Sequence, residues 1–257
     1  INEVNVLASQ IADLNNQIGK VTATGNHPND LLDQRDVLLE QLSRLVDIEV
    51  TDDHANMVIV TVDGVGLVQR STAYALDTRR VPASGYDKYE VYWRSTGSNV
   101  TIRSGELGAT LQLRDEDLQN YIDDLDKWTL EFVNEFNAIH RGGYGLAGDD
   151  GINFFTFSSS TIDDDTYSPG DIGFAGLDIQ VNRKIAANPN LIAASDEPMS
   201  SVPGTPSPIA NGNNAQALAG LRNKALGSDH TSLPDRFISI ISKLGVDAEE
   251  ANKMSEN

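Results

Sequence analysis

Pro28-Asn29-Asp30-Leu31-Leu32-Asp33-Gln34-Arg35-Asp36, running on as Val37-Leu38-Leu39-Glu40-Gln41-Leu42-Ser43-Arg44-Leu45-Val46-Asp47-Ile48, is the stretch that decides how the chain folds. Pro28 stops any preceding helix, because it lacks an N–H and its ring clashes with the turn before it. Asn29 or Asp30 is placed to cap the next helix by accepting a backbone N–H. Leu31, Leu32, Leu38, Leu39, Leu42, Leu45 and Val46 then recur on one face, which predicts an amphipathic helix over 29–47 made for a partner helix. The partner precedes it. Ile1, Val4, Leu7, Ala8, Ile11, Leu14 and Ile18 repeat at steps of three and four, predicting a helix that ends near Gly19. The loop over 22–28 is short and polar, so an antiparallel hairpin is the simplest arrangement. Neither helix is stable alone: ordering each residue costs roughly 1–2 kcal/mol of backbone entropy, and each buried aliphatic side chain returns roughly 1.5–3 kcal/mol.

From Ile48 the period changes. Ile48-Glu49-Val50, Val58-Ile59-Val60-Thr61-Val62 and Tyr89-Glu90-Val91-Tyr92-Trp93 are β-branched and aromatic runs parted by Gly, Asp and Asn, and Val100-Thr101-Ile102 closes the series. Leu107, Leu111, Leu118, Tyr121, Ile122, Leu125, Trp128, Phe132, Phe136 and Ile139 then mark a long helix over 106–140, stopped by Gly142-Gly143. Beyond it the chain is rich in Gly, Asp, Ser and Pro, with strand-like fragments at 153–157 and 177–181 and a flexible linker expected over 198–208. Two further helices follow, over 213–226 and from Leu233 onward, the latter with Phe237, Ile241, Leu244, Ala248, Ala251 and Met254 as its apolar face.

The expected fold is therefore α+β: an elongated antiparallel helical bundle built from both chain ends and a long central helix, with inserted β-rich segments. The helical domain is discontinuous, taking 1–47, 104–145 and 209–257, so the early and late helices are expected to pack together. Residues 48–103 form a β-rich excursion, and 146–208 a loop-rich segment with short strands.

The same words recur in a known family. PNDLLDQRD at 28–36 is followed in order by Ser104-Gly105-Glu106-Leu107-Gly108-Ala109-Thr110-Leu111 with Arg114-Asp115, then Val133-Asn134, Asn137, His140 and Gly143, then Gly151 with Phe154-Phe155. Val181-Asn182, Asn188-Pro189 and Ile192-Ala193-Ala194-Ser195 come next, then Gly212-Asn213-Asn214-Ala215 with Ala217-Leu218 and Leu221, and finally Leu244-Gly245, Ala248 and Ala251. Taken together, these pieces resemble the FlgK family of flagellar hook-associated proteins from near residue 1 to near residue 251. The resemblance implies a non-catalytic structural subunit that is secreted and joins hook to filament in the bacterial flagellum by lateral and axial self-assembly. It also implies its partners: copies of itself, the hook protein and the adjacent hook-associated protein. The outward faces of the 29–47 and 106–140 helices are expected to contribute contacts. Ile1 opens in mid-pattern and 251–257 carry no stop signal, so the chain reads as a core lacking both terminal segments, monomeric in dilute solution. Where the family often inserts a β-rich outer domain after the Phe-Phe pair, only about twenty residues part Phe155 from Leu177, which implies a reduced outer domain.

Bulk properties agree with a binding surface made of protein. Of 257 residues, 38 are Asp or Glu and 19 Lys or Arg, a net charge of -19. With a pI near 4.4, neither a phosphate backbone nor an anionic bilayer is an expected ligand, since both recruit clustered Lys and Arg. Arg79-Arg80 is the only adjacent arginine pair and reads as a solvated turn. The absence of cysteine excludes disulfides, thiolate zinc sites and cysteine nucleophiles. No run of about eighteen apolar residues is present to span a bilayer, and the chain opens with no basic-then-apolar signal segment.

Chemistry-bearing motifs are few, and no catalytic, cofactor-binding or metal site is expected. Gly143-Tyr144-Gly145-Leu146-Ala147-Gly148 spells GxGxxG, but it follows a helix and precedes a polar loop, the reverse of a dinucleotide fingerprint; a helix cap and turn requiring positive φ is the reading. Asp149-Asp150, Asp163-Asp164-Asp165 and Asp171 cluster hard oxygen ligands without EF-hand spacing and read as a solvated acidic loop. His27, His54, His140 and His230 are scattered; His140 alone stands out, at the end of the long helix, where it can bond a terminal carbonyl. Arg35 reads as an inter-helix pairing group, Trp93 and Trp128 as core anchors, and Asn99-Val100-Thr101 as a strand end. The competing functions are a secreted adhesin or calcium-dependent binding module using the acidic loop, and a hydrolase using Asp123 with Asp126 or Asp115 with Asp117, pairs that fall on the polar side of a charged helix.

Overall fold

The protein's computed structural model describes residues 1–83, 86–146, 151–158, 166–168, 172–198, 211–226 and 230–255. It is a mixed helix and strand structure that divides into two compact units, Ile1–Leu118 and Gln119–Asn257. The boundary falls inside the 104–145 segment, so that segment contributes to both.

In the first unit, α1 (Asn2–Ala23) and α2 (Asn29–Leu45) lead into a four-stranded antiparallel meander of β1 (Glu49–Asp52), β2 (Val58–Val62), β3 (Val65–Gln69) and β4 (Thr72–Ala73). A separate hairpin, β5 (Leu76–Ala83) with β6 (Tyr86–Trp93), precedes α3 (Gly105–Gln112) and a π turn, Leu113–Asp117. The α1 stripe predicted from its spacing is buried: Val4, Leu7, Ala8, Ile11, Leu14 and Ile18 lie in the interior, with Val4, Leu7, Ala8 and Ile11 sharing one cluster with Leu42 and Val46 of the second helical segment. Val58, Val60, Val62, Leu67, Val68, Leu76, Val91 and Trp93 belong to the same cluster. α1 is thus buried against strands as well as against α2, which explains why its apolar stripe is wider than a two-helix seam needs.

Several local expectations are corrected. Helix α1 runs through Gly19, which packs beside Met57, and stops at Thr24 before Gly25 at φ +81°. Neither Asn29 nor Asp30 caps α2; Pro28 takes the cap position and its carbonyl accepts both Leu31 N–H (3.0 Å) and Leu32 N–H (3.1 Å). β3 and β5 carry too few alternating apolar residues to be read as strands, although Asp63-Gly64, both at positive φ between two β runs, is a hairpin signal. Arg79-Arg80 stands in β5, not in a turn, with Arg79 paired to Glu90 and set 5.4 Å from the Tyr92 ring centre. Val100 and Ile102 are buried outside any strand, while Asn99 bridges Tyr92.

Two asparagines sew α1 to the strands. Asn15, wholly buried, donates from Nδ2 to the carbonyls of Val58 and Arg70 (2.8 Å each), and its Oδ1 accepts Val58 N–H at 3.2 Å. Asn5 does the same to Leu76, donating to its carbonyl (2.8 Å) and accepting its N–H (2.9 Å). Each amide stands in for a neighbouring strand. Arg35 completes the first site: its Nη1 donates to Asn15 Oδ1 (3.3 Å) and to the Asn56 carbonyl (2.6 Å), so the motif arginine ties α2 to α1 and to the tight turn at 54–56. Burial pulls its pKa below the ordinary guanidinium value, against the opposing fields of Asp36 and Asp52. A second close approach sits at Gly105, at φ +73°, where a Cβ would lie 2.7 Å from the backbone of Leu45 and Val46.

The second unit is organised by α4 (Leu118–Arg141), which continues the long helix predicted over 106–140 beyond the π turn. It is followed by β7 (Phe155–Phe157), α5 (Ala175–Asp178), β8 (Ile179–Val181), α6 (Arg183–Ala187), α7 (Asn213–Gly220), β9 (Ala225–Leu226), β10 (Thr231–Ser232) and α8 (Leu233–Ser255). The two strand-like fragments expected at 153–157 and 177–181 contain β7 and β8, which pair antiparallel with Phe155 opposite Val181. α7 is shorter than expected, giving way to a 3₁₀ turn at Leu221–Asn223. Leu130, Val133, Phe157, Tyr167, Ile172 and Ala175 form one core, and Leu221, Leu226 and Leu233 another against Trp128, Phe136 and Ile139. The linker expected at 198–208 lies, from 199 on, outside the described residues.

Asn15→Leu should lower stability to chemical denaturation by about 3 kcal/mol, because it strands the Val58 and Arg70 backbone groups and the Arg35 guanidinium at once. Gly105→Ala should cost about 2 kcal/mol or more, combining positive φ with backbone overlap, and a calorimetric scan reads it as a lower Tm.

Candidate functional site

The quoted motif residues of the second unit converge on α4, where they form a set of backbone clasps. Asn134 accepts Tyr167 N–H (2.8 Å) and donates to its carbonyl (2.7 Å). Asn137 accepts the N–H groups of Phe154 and Phe155 (2.9 Å each) and donates to the Phe155 carbonyl (2.9 Å). The Phe-Phe pair then lies on the aromatic ladder of Phe132, Phe136 and His140, with ring centres 5.0–5.3 Å apart. His140 is wholly buried; its Nδ1 lies 2.6 Å from the Ile152 carbonyl and its Nε2 accepts Ala193 N–H at 3.0 Å. Since a carbonyl can only accept, the ring is neutral with its proton on Nδ1. Burial holds its pKa below the usual histidine value, partly offset by the Ile152 carbonyl. Asn214 donates to the Ala193 carbonyl (2.6 Å), and Asn182 to that of Asn153 (2.9 Å).

These contacts explain the glycines. Gly143 faces Asn214 and the Ser195 carbonyl, Gly145 faces Asn190, and Gly151 faces the His140 carbonyl, each too close for a Cβ. None of the three is at positive φ, so close approach, not the expected left-handed turn, is what excludes a side chain. Gly148 lies outside the described residues.

The other candidate residues do not assemble a reaction centre. Asp115 is held by Arg114, whose hydrogen bond keeps its carboxyl below the usual range. Asp123 accepts from Gln119 (2.7 Å), and Asp126 accepts Gly176 N–H (3.1 Å). His27, His54 and His230 are exposed. Asp149, Asp150, Asp163, Asp164, Asp165 and Asp171 lie outside the described residues; among the described residues no group of His, Asp and Glu could hold a metal ion. No described helix is long and apolar enough to cross a membrane. Trp93 is buried as expected, and Trp128 donates from Nε1 to the Leu233 carbonyl (2.8 Å).

What remains open is surface. A groove of about 500 Å³ runs between α1 and α2, lined by Gln10, Asp13, Leu14, Gln17, Gln34 and Val37 among others, with Val37 53% exposed. In the second unit an apolar groove of about 430 Å³ lies among Trp128, Phe132, Phe136, Leu221, Leu233 and Phe237. Beyond it the apolar face expected on α8 is exposed at Phe237, Ile241, Leu244, Ala248 and Ala251; the Met254 side chain lies outside the described residues. The reason is that α8 meets α4 along its other side, through Arg236 with Glu131, Tyr121 with Asp247, and Lys243 over the Tyr121 ring. Large aliphatic groups thus stand in number along one exposed helix.

Comparison with known proteins places these features. The model of the flagellar hook-associated protein FlgK helical domain matches residues 1–155. The chain is 34% identical over 180 residues to flagellar hook-associated protein 1 of Escherichia coli (strain K12), covering 67% of this chain and 33% of that protein. To flagellar hook-associated protein 1 of Bacillus subtilis (strain 168) it is 28% identical over 291 aligned positions, covering 99% of this chain and 53% of that protein. The solved structure of the flagellar hook junction protein FlgK from Burkholderia pseudomallei superposes with a TM-score of 0.54 at 27% identity, over 62% of this chain and 30% of that one. The chain thus spans a third to a half of the length of these curated relatives.

Ile238→Lys, at a side chain 60% exposed, should change stability by no more than about 0.5 kcal/mol. Asn137→Leu should instead free the 153–155 backbone, which amide exchange would record as lost protection at Phe154 and Phe155.

Proposed function

The chain belongs to the FlgK family of flagellar hook-associated proteins, and from that premise we propose that it is a structural, non-catalytic subunit joining hook to filament in the bacterial flagellum. The match to the family's helical domain over residues 1–155, more than half of the chain, is the observation that carries this reading. Its partners are copies of itself, the hook protein and the adjacent hook-associated protein, and it acts outside the cell after secretion. The mechanism is geometric. Head-to-tail contacts that repeat by rotation and rise build a helical tube, and a junction subunit presents one lattice below and another above. In that setting 1–47, 104–145 and 209–257 act as the helical parts, and 48–103 and 146–208 as β-rich and loop-rich excursions.

The clasped interior supports this reading. A junction subunit needs loops fixed to helices by contacts that do not slip, while its outward helix faces stay free to dock. The outward side of α2, around Gln34 and Val37, and the exposed face of α8 are the surfaces that would meet neighbours. In dilute solution the chain is a monomer, its net charge of -19 opposing association until a lattice supplies many contacts at once.

The test is a chimera in which this chain replaces the matching segment of the Bacillus subtilis relative in a strain lacking its own copy. Filaments retained on the hooks and restored swimming are the expected result; exported chimera with no attached filament would sink the proposal. Val37→Asp should leave thermal unfolding unchanged yet reduce filament attachment.

A further inference from the structure

His140 is held in a way that depends on its charge. Its two nitrogens serve two separate stretches of backbone, Nδ1 the Ile152 carbonyl and Nε2 the Ala193 N–H, and the ring is closed off from solvent with Phe154 at its edge. Ala193 is gripped from both sides, its N–H by His140 and its carbonyl by Asn214. The next residues are fixed by Tyr144, which exchanges backbone bonds with Ser195 (2.8 and 3.2 Å), and by Ala215 N–H on the Ala194 carbonyl.

We propose that His140 is an acid-sensitive latch, which in its neutral form fastens the 192–195 segment to the end of α4 and on taking up a proton at Nε2 releases it. The proton would place an N–H on Nε2 against the Ala193 N–H, so two donors face one another and neither has an acceptor. The Ile152 bond survives, because Nδ1 is a donor in both states. Release therefore begins at Ala193 and is local.

Among the described residues no carboxylate is hydrogen-bonded to the ring, whose partners are both backbone groups. On α4 the adjacent charged group is Arg141, itself a cation and bonded to Asn153. The 151–155 segment and α7 carry no titratable side chain. On the 192–198 segment the carboxylates are Asp196 and Glu197, and Asp196 is occupied by Asn211 and Asn213, whose hydrogen bonds hold its pKa below the ordinary value. Tyr144 stands on the facing turn, and α6 contributes only the cations Arg183 and Lys184. Asp149 and Asp150 lie outside the described residues.

The direction in pH follows. Because burial lowers the ring's pKa in the closed form, the open form binds the proton more tightly, so closure is complete above the free-histidine value of about 6.5 and weakens as pH falls below it. This inference does not rest on the junction function. The test is residue-resolved amide exchange on the whole chain between pH 8 and pH 5, corrected for intrinsic exchange chemistry, together with ¹⁵N spectra of the imidazole. At pH 7.5 the ring should be the Nδ1–H tautomer. Below about pH 6.5 the opening constant at Ala193 should rise toward tenfold per pH unit, the slope of one proton, while Val58 and Val60 keep their protection. His140→Gln, uncharged throughout, should abolish that slope. A flat opening constant at Ala193, an Nε2–H tautomer, simultaneous loss of protection at Val58 and Val60, or a slope that persists in His140→Gln would each overturn the latch; if the variant does not fold, the wild-type measurements decide.

Discussion

Side-chain amides that take the place of a missing β-strand partner hold this protein together. Asn15 and Asn5 present a donor and an acceptor to the backbone of Val58 and Leu76, and Asn134 and Asn137 do the same for Tyr167 and for the Phe154-Phe155 pair. A helix packed on a strand or an irregular segment has no regular way to satisfy that segment's outward N–H and C=O groups, and leaving them buried and unpaired costs far more than a good bond returns. Asparagine solves the mismatch because its short carboxamide copies the peptide group. Arg35 adds charge to one of these sites, and its Nε, buried without a partner, shows how completely the surrounding packing closes over it.

The large helices were legible because their periodicity reports burial directly: α1, α2 and α4 lie where their apolar spacing puts them. The clasps were not legible as such. Asn15 occupies a core phase of α1 between Ile11 and Ile18, and Asn137 and His140 extend the buried line through Val133 on α4. A polar residue in an apolar phase signals an internal partner without naming it, since the partner comes from a segment far along the chain. β5 was missed for a related reason. Leu76-Asp77-Thr78-Arg79-Arg80-Val81-Pro82 buries little besides Leu76, and it is a strand because β6 pairs with it over eight residues. The α8 face was legible as apolar but its exposure was not, because periodicity reports what a helix can cover, not whether anything covers it.

The contrast between interior and surface frames the family assignment. The motif words that mark the FlgK family map onto the framework: Arg35, Gly105, Asn137, His140, Gly143 and Asn214 each fix backbone to backbone. The exposed apolar positions, Val37 on α2 and Ile238, Ile241 and Leu244 on α8, make no such contacts. Framework and exposed apolar surface are thus carried by different residues, which lets one keep its geometry while the other varies.

The clasps also bear on chemical ageing. Asparagine deamidates when the following backbone nitrogen attacks its side-chain carbonyl carbon, a step that needs a mobile carboxamide and a flexible backbone. Asn15, Asn134 and Asn137 sit in helices with both ends of the amide engaged, so neither requirement is met. Conversion of any of them to aspartate would replace a donor by a charge facing backbone carbonyls. The groups on which the fold depends most are therefore the ones its own hydrogen bonds preserve.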